Sequence, residues 1–299
     1  MDSNRQHSAR ARGKQQFHSW AIHLLPLLSI PCAVWFHLYV QPFTSFEFLL
    51  FAIMWTLTGG LGISIGYHRY FTHRAFKAVE PLCWLMAACG AMSGQGPVTY
   101  WVALHRKHHR FSDQAGDPHS PIANASASRG HWFGLMHSHF LWIAEAQPPT
   151  LGRYAADLVR NRVARVTGSI YYQLVLLGQL IPALAGWIWY GTWAGALAGL
   201  LWGGLLRLVI GNQIIWSVNS VCHAFGSQPH ATRDQSRNNV VVAMFGFGEG
   251  WHNNHHVAPT AANFSHRWWQ LDCGYLVIRA FAWMRLFHSV RVCSETGPV

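Results

Sequence analysis

Histidine is concentrated in two short segments that share the pattern H-x-x-H-H. The segments are ALHRKHHRF, residues 103–111, and EGWHNNHH, residues 249–256. With 20 histidines in 299 residues, this pattern is expected roughly 0.1 times by chance. Positions i, i+3 and i+4 lie on one face of a helix, so we expect each segment to present three imidazoles to one small volume. The six candidate metal ligands are His105, His108, His109, His252, His255 and His256.

Three further histidines and one asparagine extend this set. The segment HRYFTH contributes His68 and His73, and WSVNSVCH contributes Asn219 and His223, four residues apart. Neutral imidazole is the commonest metal ligand in proteins and suits iron, zinc, copper and nickel. A single zinc takes only three or four ligands, so nine histidines favour a site that holds two metals.

The elements that position these residues are apolar. The chain is 51% hydrophobic and only 11% charged, whereas soluble domains carry about 25% charged residues. A membrane-spanning helix needs about 20 mostly apolar residues, and four segments meet this requirement: 20–40, 46–65, 170–190 and 193–214. A fifth apolar segment, 82–97, is too short to span and is interpreted as a helix at the membrane interface.

The distribution of charge predicts the orientation. Arg5, Arg10, Arg12 and Lys14 precede the first span, whereas the connectors 41–45 and 191–192 carry no charge. The positive-inside rule therefore places both termini and both histidine segments in the cytoplasm. The net charge of +11 is assigned to contact with anionic lipid rather than nucleic acid, because the cations flank the spans. The six cysteines show no paired spacing and are interpreted as reduced thiols.

We therefore predict an all-α integral membrane protein with four transmembrane helices and a cytosolic helical cap that holds the metals. The whole chain, 1–299, is predicted to form one domain. Its segments are a basic cytosolic tail (1–16), a first helical hairpin (17–66), a cap segment (67–169), a second hairpin (170–218) and a second cap segment (219–299).

Three segments together resemble a known family. GYHRYFTHRAFKA, YWVALHRKHHRFSDQAGDPHSP and FGEGWHNNHH are similar, in order and spacing, to the three histidine boxes of membrane fatty acyl desaturases. The strongest resemblance is to the stearoyl-CoA and bacterial delta-9 desaturases, and it extends from about residue 62 to residue 272. It implies a bacterial inner-membrane enzyme that introduces a cis double bond, at the delta-9 position, into a saturated acyl chain.

The resemblance also implies the cofactors and the ligands. Two iron ions, cycling between Fe²⁺ and Fe³⁺, would use dioxygen as co-substrate in the cytosolic cap. The implied iron ligands are His68, His73, His105, His108, His109, His223, His252, His255 and His256, with Asn219 reaching one iron through water. Carboxylates near the boxes can orient ligating imidazoles through the second ring nitrogen. The candidates for this role are Asp113, Asp117 and Glu249.

A bent acyl tunnel is a further implication. Trp101, Trp216 and Gln95 match positions that enclose its kink, whereas Thr56 and Gly60 match positions near its end. Because the last two residues are small, we expect room for an acyl chain of at least ordinary length.

The sequence departs from the family at a position that concerns the acyl carrier. The acyl-CoA enzymes have an Arg-Asp pair just before the second box, where this chain has Ala103 and Leu104, so an acyl group on coenzyme A, lipid or carrier protein remains open.

The sequence after the third histidine box bears on the source of electrons. It carries no H-P-G-G stretch, flavin fingerprint or C-x-x-C after the third box. We therefore expect a separate electron donor: a ferredoxin, a rubredoxin-like protein or a cytochrome b5 system.

The nearest alternative to a desaturase is a membrane di-iron hydroxylase or alkane monooxygenase. A metal transporter is a weaker alternative because transport sites lie near the bilayer midplane, whereas the charged residues within the spans are Glu47, at the very start of the second span, and Arg207.

Overall fold

The computed structural model describes residues 13, 16–123, 130–145 and 149–293. These residues are mostly helical, with one pair of two-residue strands, β1 (Lys77–Ala78) and β2 (Phe287–His288). In chain order the helices are α1 (Gln16–Tyr39), α2 (Ser45–Thr72), α3 (Glu80–Met92), α4 (Val98–Phe111), α5 (Gly130–Met136, extended by His137–Leu141 and Trp142–Glu145), α6 (Leu151–Tyr154), α7 (Ala156–Val159), α8 (Arg162–Ser169), α9 (Tyr171–Tyr190), α10 (Trp193–His223), α11 (Val240–Phe245), α12 (His252–Val257) and α13 (Cys273–Trp283).

Four of these helices, α1, α2, α9 and α10, are long and apolar enough to cross a membrane. They confirm the four spans predicted from hydropathy. Two of them continue past the predicted ends at residues 65 and 214, to Thr72 and His223. His68 and His223 therefore lie on continuous extensions of two long helices. The four N-terminal cations used to predict orientation lie outside the described residues, so the orientation stays a prediction.

The short apolar segment after α2 forms α3, which packs against the second half of α2. Small residues allow this contact: a Cβ added at Gly62 would overlap the backbone at Gly90, and one added at Gly90 would overlap the ring of Tyr67. Close backbone approach at small residues is typical of helix pairs in membranes. The contact fixes the part of α2 that leads to His68.

The hairpin of α9 and α10 is closed by residues suited to a tight turn. Gly191 ends α9 in the left-handed region with φ +65°, where glycine avoids the Cβ clash. Thr192 then caps α10 by accepting a hydrogen bond from the backbone N–H of Gly195 at 3.1 Å. At the same end, the Tyr190 hydroxyl donates to Glu47 at 2.8 Å. This bond joins the second hairpin to the start of α2.

Beyond the spans, the ends of α2 and α10 meet α4, α12 and the segment before α13. A buried ion pair joins two of these elements, because a guanidinium nitrogen of Arg69 lies 2.9 Å from Asp272 Oδ1. The guanidinium also lies over the Phe264 ring, 3.9 Å from its centroid. Asp272 in turn caps α13 by accepting from the backbone N–H of Tyr275 at 2.9 Å. The histidine-bearing helices are thus held together by polar contacts as well as apolar packing.

Candidate metal centre

Nine of the predicted ligands converge in two neighbouring groups. Within each group, one ring nitrogen of every histidine lies within 4.8 Å of the others. The first group contains His68, His73, His105, His109 and His255. The second group contains His108, His223, His252 and His256. Their role as metal ligands stays a prediction, but the structure brings together all nine histidines that the sequence singled out.

The shortest distances within the groups join helices that are far apart in the sequence. In the first group, His255 Nε2 lies 3.1 Å from His68 Nε2 and 3.0 Å from His109 Nε2. In the second group, His252 Nε2 lies 3.1 Å from His223 Nε2. Imidazole nitrogens this close together, on rigid helices, have the arrangement expected of ligands around an ion.

The two H-x-x-H-H segments divide their histidines between the groups. On α4, His105 and His109 belong to the first group and His108 to the second. On α12 the division is reversed, because His252 and His256 belong to the second group and His255 to the first. The expectation that each segment serves one small volume was therefore wrong. On a helix, residue i+4 is rotated about 40° from residue i in one direction, and residue i+3 is rotated about 60° in the opposite direction. The first and last histidines of each segment therefore point to one group and the middle histidine to the other.

Four carboxylates hold the second ring nitrogen of four histidines. His223 Nδ1 lies 2.8 Å from Asp113, His108 Nδ1 lies 3.0 Å from Asp117, and His68 Nδ1 contacts Glu249. The structure thus places all three carboxylates proposed from the sequence against histidines of the two groups, and their role in orienting metal ligands stays a prediction. A fourth pair was missed: His256 Nδ1 lies 2.6 Å from Asp234. No motif or spacing relates Asp234 to a histidine box, so no feature of the sequence indicated this contact.

Burial controls the charge of the imidazoles. It lowers the pKa of five of them well below the usual value, and repulsion from neighbouring imidazoles lowers it further: His73, His105, His109, His252 and His255. Burial also lowers the pKa of His256 to about 4, although its contact with Asp234 opposes the change. An imidazole that is neutral at pH 7 offers its lone pair to a metal.

The carboxylates are held in the charged form. Burial alone would raise the pKa of Asp117 and of Asp234, but their imidazole partners outweigh it and hold both pKa values below the usual range. For His108, burial is likewise outweighed, and attraction to Asp117 raises its pKa. A charged carboxylate behind an imidazole fixes the ring orientation and increases the basicity of the ligand.

Several ring nitrogens have no hydrogen-bond partner among the described residues. His73 Nε2, His108 Nε2 and His256 Nε2 are buried in this state. An unpaired buried polar group costs roughly 1–3 kcal/mol. All three nitrogens belong to histidines of the two groups, so coordination of metal would supply the missing partner. The donor set therefore fits two ions bound mainly by imidazole.

A row of three cavities runs beside the first group. The outer cavity, of about 480 Å³, is lined by Gln95, Tyr100, Trp142 and Trp216, among others. The middle cavity, of about 40 Å³, shares Gln95 and Trp142 with it. The inner cavity, also of about 40 Å³, shares His105, Trp101 and Asn219 with the middle one. We call this row of neighbouring cavities, which adjoins the first histidine group, the path.

The predicted tunnel residues differ in their relation to this path. Trp101, Trp216 and Gln95 line it, as does Asn219. Thr56 and Gly60 do not line any of the three cavities. Thr56 is exposed and its hydroxyl donates to the Ala52 carbonyl at 2.8 Å. A Cβ added at Gly60 would lie 3.0 Å from the ring of Phe247.

Sequence reasoning also missed His119, in the GDPHSP segment. This histidine is buried and lines the middle cavity, and its ring lies beside that of His108, with centroids 4.5 Å apart and an interplanar angle of 34°. One nitrogen of His119 also lies within 4.8 Å of donor atoms of His108 and Asp117. The closeness of His119 to Asp117 in the sequence was the available signal.

Comparison with known proteins agrees with the fold and the histidine groups. The sequence profile described as fatty acid desaturase matches residues 46–288. The chain is 40% identical to the hex-5-enoyl-[acyl-carrier protein] acetylenase of Moorena producens, over 94% of this chain and 88% of that protein. It is 34% identical to delta-9 acyl-lipid desaturase 1 of Arabidopsis thaliana, over 94% and 83%. It is 32% identical to the sn-1 stearoyl-lipid 9-desaturase of Synechocystis, over 94% and 80%.

The helices and histidine groups define a helical protein with four candidate membrane spans and clustered metal-binding side chains. The chain belongs to the fatty acid desaturase family. Its resemblance to the histidine boxes, stated from the sequence, is thereby confirmed.

Proposed function

We propose that the chain is an oxygen-dependent desaturase that introduces a cis double bond into a saturated fatty acyl chain by means of a di-iron centre. The observation that carries this proposal is the convergence of nine imidazoles into groups of five and four beside an apolar cavity. Acid or base groups cannot remove hydrogen from an unactivated methylene, so such a reaction needs a metal cofactor. Two bound iron ions would supply the activation of dioxygen that the reaction requires.

The protein's own residues would hold the ions and place the chain. The nine histidines are the proposed ligands, with Asn219 at the cavity wall and four carboxylates orienting the rings. Trp101 lies flat against His105, with ring centroids 4.9 Å apart and an interplanar angle of 15°. It forms an apolar wall beside a proposed ligand. A narrow path would present few carbons to the metals, and this restriction would select the position and geometry of the double bond.

The acyl carrier is proposed to be a lipid or a carrier protein. Ala103 and Leu104 are fully or almost fully buried, so neither provides a charged contact for a coenzyme A head group. The relatives include acyl-lipid desaturases and an enzyme that acts on a chain bound to acyl-carrier protein. The delta-9 position, named for two of these relatives, is the first double-bond position to test here.

The remaining parts of the proposal concern location and partners. We propose one domain in the bacterial inner membrane, with both termini and the histidine-bearing cap in the cytoplasm. Electrons would come from a separate acidic protein such as a ferredoxin, rubredoxin-like protein or cytochrome b5. Its approach would be favoured by the strongly basic chain, which has a net charge of +11.

Two other reactions use the same kind of centre. The likeness to an acetylenase favours conversion of a double bond to a triple bond as a second candidate. A hydroxylase would instead add oxygen to the chain. The three reactions differ in product mass: loss of two hydrogens from a saturated chain, loss of two from an alkene, or gain of one oxygen.

The test is expression in bacterial cells with a simple fatty-acid profile, with mass analysis of the fatty acids. New monounsaturated acids are expected with the intact chain and none with His105→Ala. His288→Ala, which changes an exposed histidine on β2, is the matched control and should retain the product. Hydroxylated acids alone would contradict desaturation. If purified protein bound two metals but consumed no dioxygen when supplied with reductant and acyl lipid, the alternative function of a metal transporter would be favoured.

A further inference from the structure

The outer cavity reaches the surface where two of the long helices begin. Of the residues that line it, Ser169 and Tyr172 are exposed. Tyr172 lies in the first turn of α9, and His18, which also lines the cavity, lies in the first turn of α1. The rings of His18 and Tyr172 are 6.2 Å apart between centroids. We call the opening bordered by His18, Ser169 and Tyr172 the mouth.

The mouth lies at the end of the spans that carries the histidine groups. His18 Nε2 donates to the Gly94 carbonyl at 3.1 Å, and the Tyr171 hydroxyl accepts from the backbone N–H of Gly96 at 2.9 Å. Both contacts join the start of a span to the connection between α3 and α4, and α4 carries His105. An acyl chain that enters the mouth is therefore at the outer end of the path.

Exposed aromatic side chains lie beside the mouth. Phe17 is exposed and contacts Tyr172, with ring centroids 6.3 Å apart. Trp20, in the next turn of α1, is also exposed. Tyrosine and tryptophan at the ends of membrane spans favour the boundary between lipid and water. These positions favour a mouth that opens at the membrane interface rather than into bulk water.

A third helix, α5, borders the cavity from outside the spans. Trp142 and Ile143, near its C-terminal end, line the cavity. The same helix exposes a large apolar side chain at every fourth position: Trp132, Met136 and Phe140. An exposed apolar row on a helix outside the spans is typical of a helix that lies on the membrane surface. Apolar side chains suited to lipid contact therefore border the cavity on α1, α5 and α9.

The cavity wall and the rim of the mouth differ in charge. Among the described residues that line the outer cavity, there is no lysine, arginine, aspartate or glutamate. The polar side chain of Gln95 is already paired, because it donates to Asn212 Oδ1 at 2.5 Å. Outside the cavity, Arg165 lies one turn before Ser169 on α8, and Arg162 lies one turn before Arg165; both arginines are exposed. The cavity therefore suits hydrocarbon, and the rim suits an anionic head group.

This inference rests on the proposed function and names its substrate class. We propose that the substrate is an acyl chain of an anionic membrane glycerolipid, which enters sideways through the mouth while its head group stays beside Arg165. The chain then passes from lipid to an apolar cavity without exposing its methylenes to water, which would be unfavourable. A carrier protein in solution would have to displace lipid from Phe17 and Tyr172 before it could insert a chain.

The main test is light-activated cross-linking, which needs no turnover. Purified metal-loaded protein is placed in phosphatidylglycerol vesicles that contain a trace of phosphatidylglycerol with a diazirine in its acyl chain, and labelled peptides are identified by mass spectrometry. Label is expected on peptides that line the outer cavity, including those with Tyr100 and Trp142. Ser169→Trp should obstruct the mouth and reduce this labelling about tenfold. Ser45→Trp, which changes an exposed serine at the opposite end of the spans, should leave it unchanged.

Gly168→Leu provides a milder obstruction if Ser169→Trp does not accumulate. A Cβ added at Gly168 would lie 3.8 Å from the Pro97 side chain, an ordinary contact, and both residues line the cavity. Leucine should therefore fit and reduce the labelling by a smaller factor. Gly152→Leu, at an exposed glycine with no neighbour within 4 Å, is its control. Unchanged labelling in both obstructed variants, or no label in the cavity of the intact protein, would overturn the membrane entrance.

The head group is tested with two probes that share one acyl chain. The diazirine lipid is supplied as phosphatidylglycerol or as zwitterionic phosphatidylcholine, in vesicles of phosphatidylcholine. The anionic probe should label the cavity about fivefold more strongly, the factor expected for one arginine at a lipid surface, and Arg165→Gln should remove this preference. Arg279→Gln, which removes an exposed charge on α13, should keep it. Equal labelling by both probes, or equal loss in both variants, would overturn the contact with Arg165.

Product analysis separates this proposal from the proposed reaction. Suppose that the cavity is labelled, and that Ser169→Trp prevents labelling, in a protein that forms no unsaturated product. The membrane entrance would then be supported and the reaction contradicted. If the intact protein instead forms monounsaturated acids on a chain bound to acyl-carrier protein, and lipid never labels the cavity, desaturation would stand and the membrane entrance would be overturned.

Discussion

His109 and His255 lie 146 residues apart in the chain, and their Nε2 atoms are 3.0 Å apart. The contact joins α4 to α12, so the two helices that carry H-x-x-H-H meet within one histidine group. Neither nitrogen can donate to the other when both rings are neutral and present lone pairs, so an ion between them would remove the repulsion. This pair most directly supports the proposal that the first group binds a metal ion.

Replacement of His255 tests whether the two groups act as separate sites. His255→Ala removes one of five nitrogens from the first group and none from the second. We expect metal content to fall from about two ions to about one per chain, and desaturation to fall more than about 100-fold. Elemental analysis of purified protein measures the first quantity and product analysis the second. Retention of both metals would show that His255 is not a ligand.

The carboxylate behind His108 should control metal affinity without touching the metal. Asp117→Asn keeps the size of the side chain but removes the charge that orients His108 Nδ1 at 3.0 Å. Loss of such an orienting partner typically weakens metal binding 10–100-fold. We expect a decrease in that range, measured by competition with a chelator. Asp157→Asn is the control, because Asp157 pairs with Arg74 and Arg106 instead; an equal effect there would contradict the assignment.

The metal-free protein should lose stability as pH falls below neutrality. Burial lowers the pKa of His256 to about 4 in the folded chain, whereas an unfolded histidine has a pKa of about 6.5. Between these values only the unfolded chain binds the proton. Each such group therefore lowers the free energy of unfolding by about 1.4 kcal/mol per pH unit between pH 6.5 and pH 4. Asp234, whose pKa is also held low, adds a loss only below about pH 4.

Thermal unfolding of chelator-treated protein at several pH values measures this slope. His256→Gln should give a shallower decrease between pH 6.5 and pH 4 than the intact chain, because the glutamine side chain does not titrate. Bound metal should raise the unfolding midpoint, since ligands that bind only the folded state stabilise it. An unchanged slope in the variant would show that His256 does not titrate as its burial implies.

The sequence predicted the spans and the nine histidines because both signals are local. Hydropathy marks a helix of about 20 residues directly, and H-x-x-H-H marks one helix face. The division of each segment between the two groups was not predictable, because it depends on how α4 and α12 pack on α2 and α10. Asp234 and Phe247 were missed for a related reason: their partners, His256 and Gly60, are 22 and 187 positions away.

The buried ion pair of Arg69 and Asp272 should be the most sensitive contact in the cap. Arg69 and the Asp272 side chain are almost completely buried, and Arg69 immediately follows a proposed ligand, His68. Removing one partner of a buried pair costs about 3–5 kcal/mol, and Asp272→Asn would leave Arg69 with only the carboxylate of Glu249, 3.9 Å away, as a charged partner. Asp272→Asn should therefore lower the unfolding midpoint strongly, measured on purified protein. The double variant Arg69→Met/Asp272→Asn should recover part of the lost stability, because the buried guanidinium charge is then absent. If the double variant lost as much stability as the two single variants together, the two residues would act independently.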